Sequence, residues 1–171
     1  MPARKSASQP APRKQTAKKT PPSPGKEARL IALINMAARL SNRAARTRLG
    51  ASPGQIPLLV CLHQEDGLIQ KELVQRTKME QPTVAEHLDQ LAKDGLIIRR
   101  RSKEDGRKYQ VFLSAKGRAI MPDLIEGLDS GAKVFTKGLQ QKDLKSFERA
   151  ITVIIEQVEA FIRDSERSNR D

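Results

Sequence analysis

The sequence predicts a mainly α-helical protein with one small β-hairpin, which places it in the α+β class. Apolar side chains recur at helical spacing through most of the chain after residue 26, as is typical of amphipathic helices. Residues 96–113 instead hold two short runs rich in Ile, Tyr, Val and Phe, as expected for a hairpin. A chain of 171 residues is long enough for one domain plus a tail, and it can bury a core without disulfides.

The chain is strongly basic, with 32 Lys and Arg residues against 20 Asp and Glu, for a net charge of +12. This surplus favours a polyanionic partner such as nucleic acid. Aromatic residues make up only 3% of the chain, which leaves little material for the base-stacking surfaces of single-strand or RNA-binding modules. Double-stranded DNA is therefore the expected partner.

Catalytic, metal and membrane functions find little support in the sequence. Cys61 is the single cysteine and His63 and His87 are the two histidines, which excludes a disulfide framework and a cysteine-rich zinc site. No phosphate-cradling glycine loop, G-x-S-x-G motif or other catalytic pattern is recognisable. The longest uncharged stretch, residues 49–64, is broken by glycine and proline and cannot span a membrane. We expect a cytoplasmic, nucleoid-associated protein that is not an enzyme and has no cofactor or metal.

The first 26 residues differ in composition from the rest of the chain. They hold seven Lys or Arg, no acid and six of the ten prolines. With almost no large apolar side chain, residues 1–26 cannot bury enough surface to offset the entropy of ordering, so we expect a disordered basic tail. Such a tail either adds sequence-independent affinity for DNA or only keeps the protein soluble. The folded domain is expected over residues 27–171.

Two helices are predicted after the tail. The first covers residues 27–49, where apolar side chains follow the 3.6-residue period and Gly50 supplies a stop. Residues 52–55, Ser-Pro-Gly-Gln, match the S-x-x-Q capping box, so the second helix is expected to begin there and to run to about His63. Its core face is expected to hold Ile56, Leu59, Val60 and Leu62.

Residues 70–94 have the pattern of a helix-turn-helix. A short helix over residues 70–76 and a longer one over residues 81–94, ended by Gly95, are joined by four polar residues. Val84, Leu88 and Leu91 form the buried stripe of the longer helix, so short polar side chains face outward, where they suit base edges in the major groove. A solvated helix face is the alternative. The candidate DNA-contacting residues of this helix are Gln81, Pro82, Thr83, Glu86, His87 and Gln90.

The predicted hairpin has a basic tip. Arg107 can reach from the tip into a narrow minor groove, Asp105 can orient it or stabilise the tip, and Gly106 permits a tight turn. An ordinary charged hairpin is the alternative, because Asp-Gly is a common turn signal. The basic residues around the tip are expected to contact phosphates, which position the protein without specifying sequence. They are Arg99, Arg100, Arg101, Lys103 and Lys108.

Two long amphipathic helices are predicted to complete the chain. Ser114 is expected to cap the first, over residues 115–138, with Pro122 as a possible kink. The second covers about residues 142–164, where the apolar side chains alternate at four and three residues and form a coiled-coil-like seam. These seam residues are Phe147, Ile151, Ile154, Val158 and Phe161.

The order of these elements resembles the multiple-antibiotic-resistance regulator (MarR) family of bacterial transcription factors over roughly residues 30–163. The motifs that carry the resemblance are Pro82-Thr83-Val84, L-A-K-D-G-L-I at residues 91–97, Asp105-Gly106-Arg107, and L-S-A-K-G at residues 113–117. They correspond to the family's T-V helix start, L-x-x-x-G-L-[IV] exit, D-x-R wing and L-T-x-x-G, with serine here in place of threonine.

This resemblance implies a winged helix-turn-helix whose N- and C-terminal helices interlock two subunits. The DNA-binding part is then expected over residues 52–116 and the dimerisation helices over residues 27–50 and 117–165. It also implies a homodimer that binds operator DNA and responds to an effector between the terminal helices and the winged helix.

The effector itself is less evident from the sequence. Arg39, Arg43 and Arg46 share one face of the first helix, and three guanidiniums suit a carboxylate or phosphate. Because the family includes regulators of aromatic-acid breakdown, the resemblance implies a small anionic effector, an aromatic acid or its coenzyme A thioester. A solvated face or a contact with the partner subunit is the alternative. Cys61 could instead act as a redox switch, although its apolar surroundings are typical of a packed core thiol.

The sequence therefore predicts a ligand-responsive transcriptional repressor released from a pseudo-palindromic operator. An architectural, nucleoid-type DNA-binding protein is the alternative, because the tail and the high net charge suit sequence-independent binding. Selectivity separates the two, since a regulator prefers its operator over random duplex by ~10³ or more.

Overall fold

The computed structural model describes residues 24–49, 52–102 and 105–168. Only the last three residues of the expected basic tail fall in this part, so the prediction for residues 1–23 lies outside the described residues. The elements in chain order are α1 (Lys26–Leu49), α2 (Ile56–Gln64), β1 (Leu68–Ile69), α3 (Gln70–Thr77), α4 (Gln81–Lys93), β2 (Ile97–Arg101), β3 (Tyr109–Leu113), α5 (Ala115–Phe135) and α6 (Gln141–Ser168).

The helix α1 is divided between two compact units. Its part up to Arg39 belongs to one, and its part from Leu40 belongs to the unit that holds all the other elements. In the first unit, large apolar side chains on α1 are exposed, among them Leu30, Leu33 and Met36.

The three strands form one antiparallel sheet in the order β1-β3-β2. The predicted hairpin is β2 and β3, with Ile97 opposite Leu113 and Arg101 opposite Tyr109. The strand β1, which places Leu68 opposite Val111, was not predicted. Two residues are too few to show an alternating pattern, so only pairing with β3 reveals this strand.

The core lies where α2, α3, α4 and α5 pack against the sheet. Val84, Leu88 and Leu91 of α4 are fully buried, as predicted from their spacing. The core face of α2 also holds Leu58, which was not predicted, and the predicted Val60 packs against the core while half-buried. By contrast, α6 has no buried side chain, and several large apolar residues along α5 and α6 are exposed. These include Val134, Phe135, Phe147, Val158 and Phe161.

The capping predictions had mixed outcomes. The Ser114 cap of α5 is confirmed, because its hydroxyl oxygen accepts a hydrogen bond from the Gly117 amide at 2.9 Å. The S-x-x-Q capping box at residues 52–55 is wrong. There the Gln55 amide donates to the Ser52 carbonyl in a turn, and α2 begins only at Ile56 without a side-chain cap. Gln55 is buried in that turn, and its side chain makes no capping hydrogen bond to α2.

Candidate nucleic-acid interface

The helix-turn-helix consists of α3, the turn at residues 78–80 and α4. Glu72 caps the start of α3, since its carboxylate accepts a hydrogen bond from the Ile69 amide at 2.8 Å. Lys78 ends α3 in the left-handed conformation, with φ 55°, and the chain then turns into α4. Gly95 ends α4 with φ 71°. The buried stripe of α4 leaves its opposite face in solvent.

Most of the predicted DNA-contacting residues of α4 lie on this exposed face. Gln81, Pro82, Glu86 and Gln90 are exposed, whereas Thr83 is half-buried. The Gln90 side-chain amide donates to a carboxylate oxygen of Asp94 at 3.0 Å, so part of its hydrogen-bonding capacity is used within the protein. A ligand can reach the other exposed side chains on this face from solvent.

His87 is placed differently from these residues. It is half-buried and packs against Gly54 in the turn before α2, where a β-carbon would lie 2.2 Å from Nε2 of His87. The ring therefore lies on the flank of α4 and contacts another part of the protein. The structure does not bring it onto the exposed face with Glu86 and Gln90.

The tip of the hairpin is organised by Asp105. Its carboxylate accepts hydrogen bonds from the backbone amide of Arg107 at 3.1 Å and from Nε of Arg107 at 3.4 Å, and Lys108 Nζ lies 3.4 Å away. The backbone N–H of Arg107 contributes most to lowering the pKa of Asp105, with Lys108 and the Arg107 side chain adding to it. The Arg107 side chain is 93% exposed. Asp105 thus holds the base of Arg107 and leaves its guanidinium projecting into solvent.

Gly106 is not required by the geometry of this tip. Its φ lies outside the left-handed range, and a β-carbon there would have no neighbour within 4 Å. The tight turn predicted here is present, since the Lys108 amide donates to the Asp105 carbonyl at 2.9 Å. The candidate Lys103 lies outside the described residues.

The strand β2 carries the other predicted phosphate contacts. Arg99, Arg100 and Arg101 are exposed. The Arg101 guanidinium lies 5.7 Å from the centre of the Tyr109 ring, and its Nε donates to the tyrosine hydroxyl at 3.2 Å. Arg100 lies 5.4 Å above the Phe112 ring. These cation–π contacts across the two strands hold the arginines extended while they remain accessible.

Two residues in this region were not predicted. Asp89, on the exposed face of α4, pairs with Arg99 at 2.7 Å and so connects the helix to the root of the hairpin. Lys71, at the start of α3, lines a cavity of about 400 Å³ together with Arg99, Lys108 and Tyr109. No local pattern could have shown either relationship, because the partners belong to different elements of the chain.

Contacts at the end of the hairpin explain the L-S-A-K-G motif. Asp66 accepts a hydrogen bond from the Leu113 amide at 2.9 Å and pairs with Arg118. At Gly117 a β-carbon would lie 2.1 Å from the backbone carbonyl oxygen of Leu96. The absence of a side chain there lets α5 begin directly against the exit of α4.

Comparisons with known proteins agree with this arrangement. Residues 51–109 match the MarR family model. The chain is 26% identical over 114 residues to the HTH-type transcriptional repressor YetL of Bacillus subtilis, covering 66% of this chain and 68% of YetL. Residues 51–109 of this chain therefore match a MarR family domain.

Solved structures of MarR-type proteins have the same fold. One is a putative MarR family regulator from Listeria monocytogenes complexed with a 26mer DNA, at 26% identity and a TM-score of 0.65, covering 77% of this chain and 87% of that one. Another is the PcaV regulator from Streptomyces coelicolor in complex with its natural ligand, at 24% identity and a TM-score of 0.68, covering 77% of this chain and 92% of that one. The predicted fold class is confirmed, and the predicted resemblance to MarR-type transcriptional regulators is confirmed by the match over residues 51–109.

The arginines of α1 and an apolar cavity lie on different sides of that helix. The cavity, of about 590 Å³, lies between α1 and α5 and is lined on the α1 side by Ser41, Ala44 and Ala45. Arg43 and Arg46 are exposed, and the 100° step per residue places Arg43 opposite Ser41 and Ala45 and places Arg46 opposite Ala44. Arg39 is exposed too. Asp129 is the charged residue among those that line the cavity.

Cys61 has the environment of a packed thiol. It is half-buried against the core, and burial raises its pKa, with nearby Arg76 acting in the opposite direction. In the described part of the chain, no group of three His, Cys, Asp or Glu residues is arranged to hold a metal ion. None of the helices among the described residues is long and apolar enough to cross a membrane.

Proposed function

We propose that this MarR-family regulator is a homodimeric repressor that binds a pseudo-palindromic operator. The single observation that carries the proposal is the Arg99–Asp89 ion pair, which joins the root of the wing to the exposed face of α4. Because of this pair, the polar face of α4 and the extended Arg107 belong to one continuous surface. One element can enter a major groove while the other reaches the neighbouring minor groove.

Each DNA-contacting residue has a proposed role. Gln81, Pro82, Thr83, Glu86 and Gln90 contact base edges, with His87 supporting them from the flank. Arg107 enters the minor groove, and Asp105 holds its base. Arg99, Arg101, Lys103 and Lys108 contact phosphates.

The homodimer is supported by the apolar surface that a single chain leaves open. Val158 and Phe161 of α6 are 49% and 73% exposed, although their spacing is that of a helix seam. A second subunit that covers α1, α5 and α6 removes this surface from water. Two-fold symmetry then presents two copies of α4 about one DNA turn, ~34 Å, apart, which requires a pseudo-palindromic site.

Release by a small anionic compound, an aromatic acid or its coenzyme A thioester, is the second part of the proposal. Arg39, Arg43 and Arg46 are its proposed effector-binding residues, because three exposed guanidiniums on one helical face suit a carboxylate or phosphate. Support also comes from PcaV, whose structure was solved with a natural ligand. A tenfold loss of DNA affinity needs only ~1.4 kcal/mol of coupling.

The test begins with selection of duplexes from random-sequence DNA by the wild-type protein. A regulator enriches one pseudo-palindromic sequence and binds it ~10³-fold or more above random duplex, whereas an architectural protein enriches none. Benzoate, a benzoyl coenzyme A thioester and neutral benzamide are then added to the selected complex. Release by the anions but not by benzamide supports the effector class. Normal release from the triple variant Arg39→Gln, Arg43→Gln, Arg46→Gln excludes the arginine site, and release by hydrogen peroxide that requires Cys61 supports the redox alternative.

A further inference from the structure

Lys78 has an unusual backbone conformation for its residue type. Its φ of 55° and ψ of 24° lie in the left-handed region, and among the described residues it is the one non-glycine with a positive φ. Glycine or asparagine ordinarily occupies this position after a helix, because a β-carbon is disfavoured there. A lysine in this conformation indicates that its side chain makes an interaction that glycine could not make.

The side chain of Lys78 contacts α6. Its Nζ lies 2.9 Å from Oε1 of Glu159, and the other carboxylate oxygen of Glu159 lies 3.8 Å from Arg163. The Glu159 side chain is 30% exposed, so it is partly shielded, whereas its neighbour Glu156 is exposed. Among the described residues, no other ion pair joins α6 to the helix-turn-helix.

The position of this pair relates it to α4. Lys78 lies three residues before Gln81, where α4 begins, and the N-cap residue Glu80 makes no side-chain cap bond. The core fixes α4 through the buried Val84, Leu88 and Leu91, and in the turn before α4 the half-buried Met79 also packs against the core. An anchor at Lys78 therefore acts on the end of α4 that its apolar side chains hold least.

We infer that Lys78 and Glu159 form a positioning pair that sets the first turn of α4 relative to α6, and so adjusts affinity for DNA without contacting it. This inference rests on the proposed function, in which α4 contacts bases. A movement of α6 displaces Glu159, and the ion pair transmits that displacement to the turn before α4. Exposed ion pairs add little to global stability, so the effect is on geometry.

The experiment uses the full-length protein and the duplex that the wild-type protein selects from random DNA. The variants are Lys78→Gln, Glu159→Gln, their combination, and Glu156→Gln as the matched control on α6. Each of the first two is expected to weaken binding about threefold, which lies within the range measured for exposed ion pairs. Because the residues act through one contact, the combination should weaken binding no further than either single change. The control should bind as the wild type does.

Salt dependence separates this role from a direct DNA contact. If Lys78 contacts a phosphate, Lys78→Gln reduces the slope of log affinity against log salt by ~1, and Glu159→Gln has no such effect. That result overturns the inference, as do additive losses or unchanged affinity in both single variants. An unchanged slope with non-additive losses supports it.

Two further measurements keep the inference testable without DNA. Hydrogen exchange of the amides of residues 78–84 in the free protein should accelerate in Lys78→Gln and Glu159→Gln but not in Glu156→Gln, and unchanged exchange overturns the inference. Lys78→Gly should unfold at an equal or higher temperature, because glycine suits φ 55°, yet bind DNA as weakly as Lys78→Gln. If Lys78 only stabilised the fold, Lys78→Gly would change the unfolding temperature and the affinity for DNA in the same direction. If the wild-type protein selects no sequence, the proposed function fails and the exchange measurement alone decides the inference.

Discussion

Gly54 and the imidazole ring of His87 approach so closely that a β-carbon on residue 54 would lie 2.2 Å from Nε2 of His87. The contact joins the turn before α2 to the flank of α4. The φ of Gly54 lies outside the left-handed range, so its backbone conformation does not require a glycine. The position requires a glycine because a side chain would collide with His87.

We therefore expect Gly54→Ala to act on His87. The ring must rotate away from the turn, at a cost of about 0.5–1.5 kcal/mol in the free energy of unfolding. Its new position changes the flank of α4 beside the proposed DNA-contacting face. Chemical denaturation and operator titration measure the two effects. In a His87→Ala background the same glycine substitution should be silent. A full effect that persists there would show that some other contact of Gly54 is responsible.

Gly117→Ala should destabilise the fold even though alanine is the better helix former. The new β-carbon would meet the Leu96 carbonyl at 2.1 Å, and backbone must shift to relieve that contact, which costs about 1–3 kcal/mol. Urea unfolding followed by circular dichroism measures the loss. Gly131→Ala is the control in the same helix, because its β-carbon would lie 3.9 Å from the Phe135 ring. It should be neutral or stabilising by up to about 1 kcal/mol.

Removal of the Arg107 side chain should weaken operator binding without altering the fold. Its side chain is 93% exposed, so Arg107→Ala removes the proposed DNA contact and no core packing. The expected loss is about 1–3 kcal/mol in binding free energy. The exposed Arg149 on α6 supplies a control with the same change in net charge. Equal losses in Arg107→Ala and Arg149→Ala would mean that only overall charge matters.

The wing tip should depend on pH through Asp105. The pKa of Asp105 is lowered in the folded protein, chiefly by the Arg107 amide, so the ionised form stabilises the tip. That contribution is fully present above the unfolded value of about 3.9 and is lost as the pH falls through the lowered pKa. The amide chemical shift of Arg107 should follow this titration. In Asp105→Asn the shift should be insensitive to pH over the same range, and a titration that remains there would assign the effect to another group.

Phe161→Glu should dissociate the dimer while each subunit stays folded. The ring is 73% exposed in the single chain, so it lies outside the core and is available to the proposed interface between subunits. Analytical ultracentrifugation should show monomers, and circular dichroism should show the helices retained at high protein concentration. Thr152→Glu introduces the same charge on the opposite face of α6 and should leave the dimer intact. A dimer that tolerates Phe161→Glu would place the interface elsewhere.

Local pattern was sufficient to predict most of the fold. The stripe of Val84, Leu88 and Leu91, the Ser114 cap and the change of period after Gly95 each depend on residues within a few positions of one another. Helical and strand periodicity are properties of such short windows, so the helix-turn-helix and the hairpin followed from the sequence alone. The same short windows carried the motifs of the MarR family.

Contacts between distant residues needed the tertiary structure. The pairs Arg99–Asp89, Lys78–Glu159 and Gly54–His87 join elements separated along the chain, and nothing in either local sequence specifies the partner. For the same reason β1 was missed and the capping box at Ser52 was misassigned. The sequence by itself determined which residues form helices, a hairpin and a basic surface. Only the tertiary structure decided which charges meet, because side chains pair through space once folding has fixed the backbone.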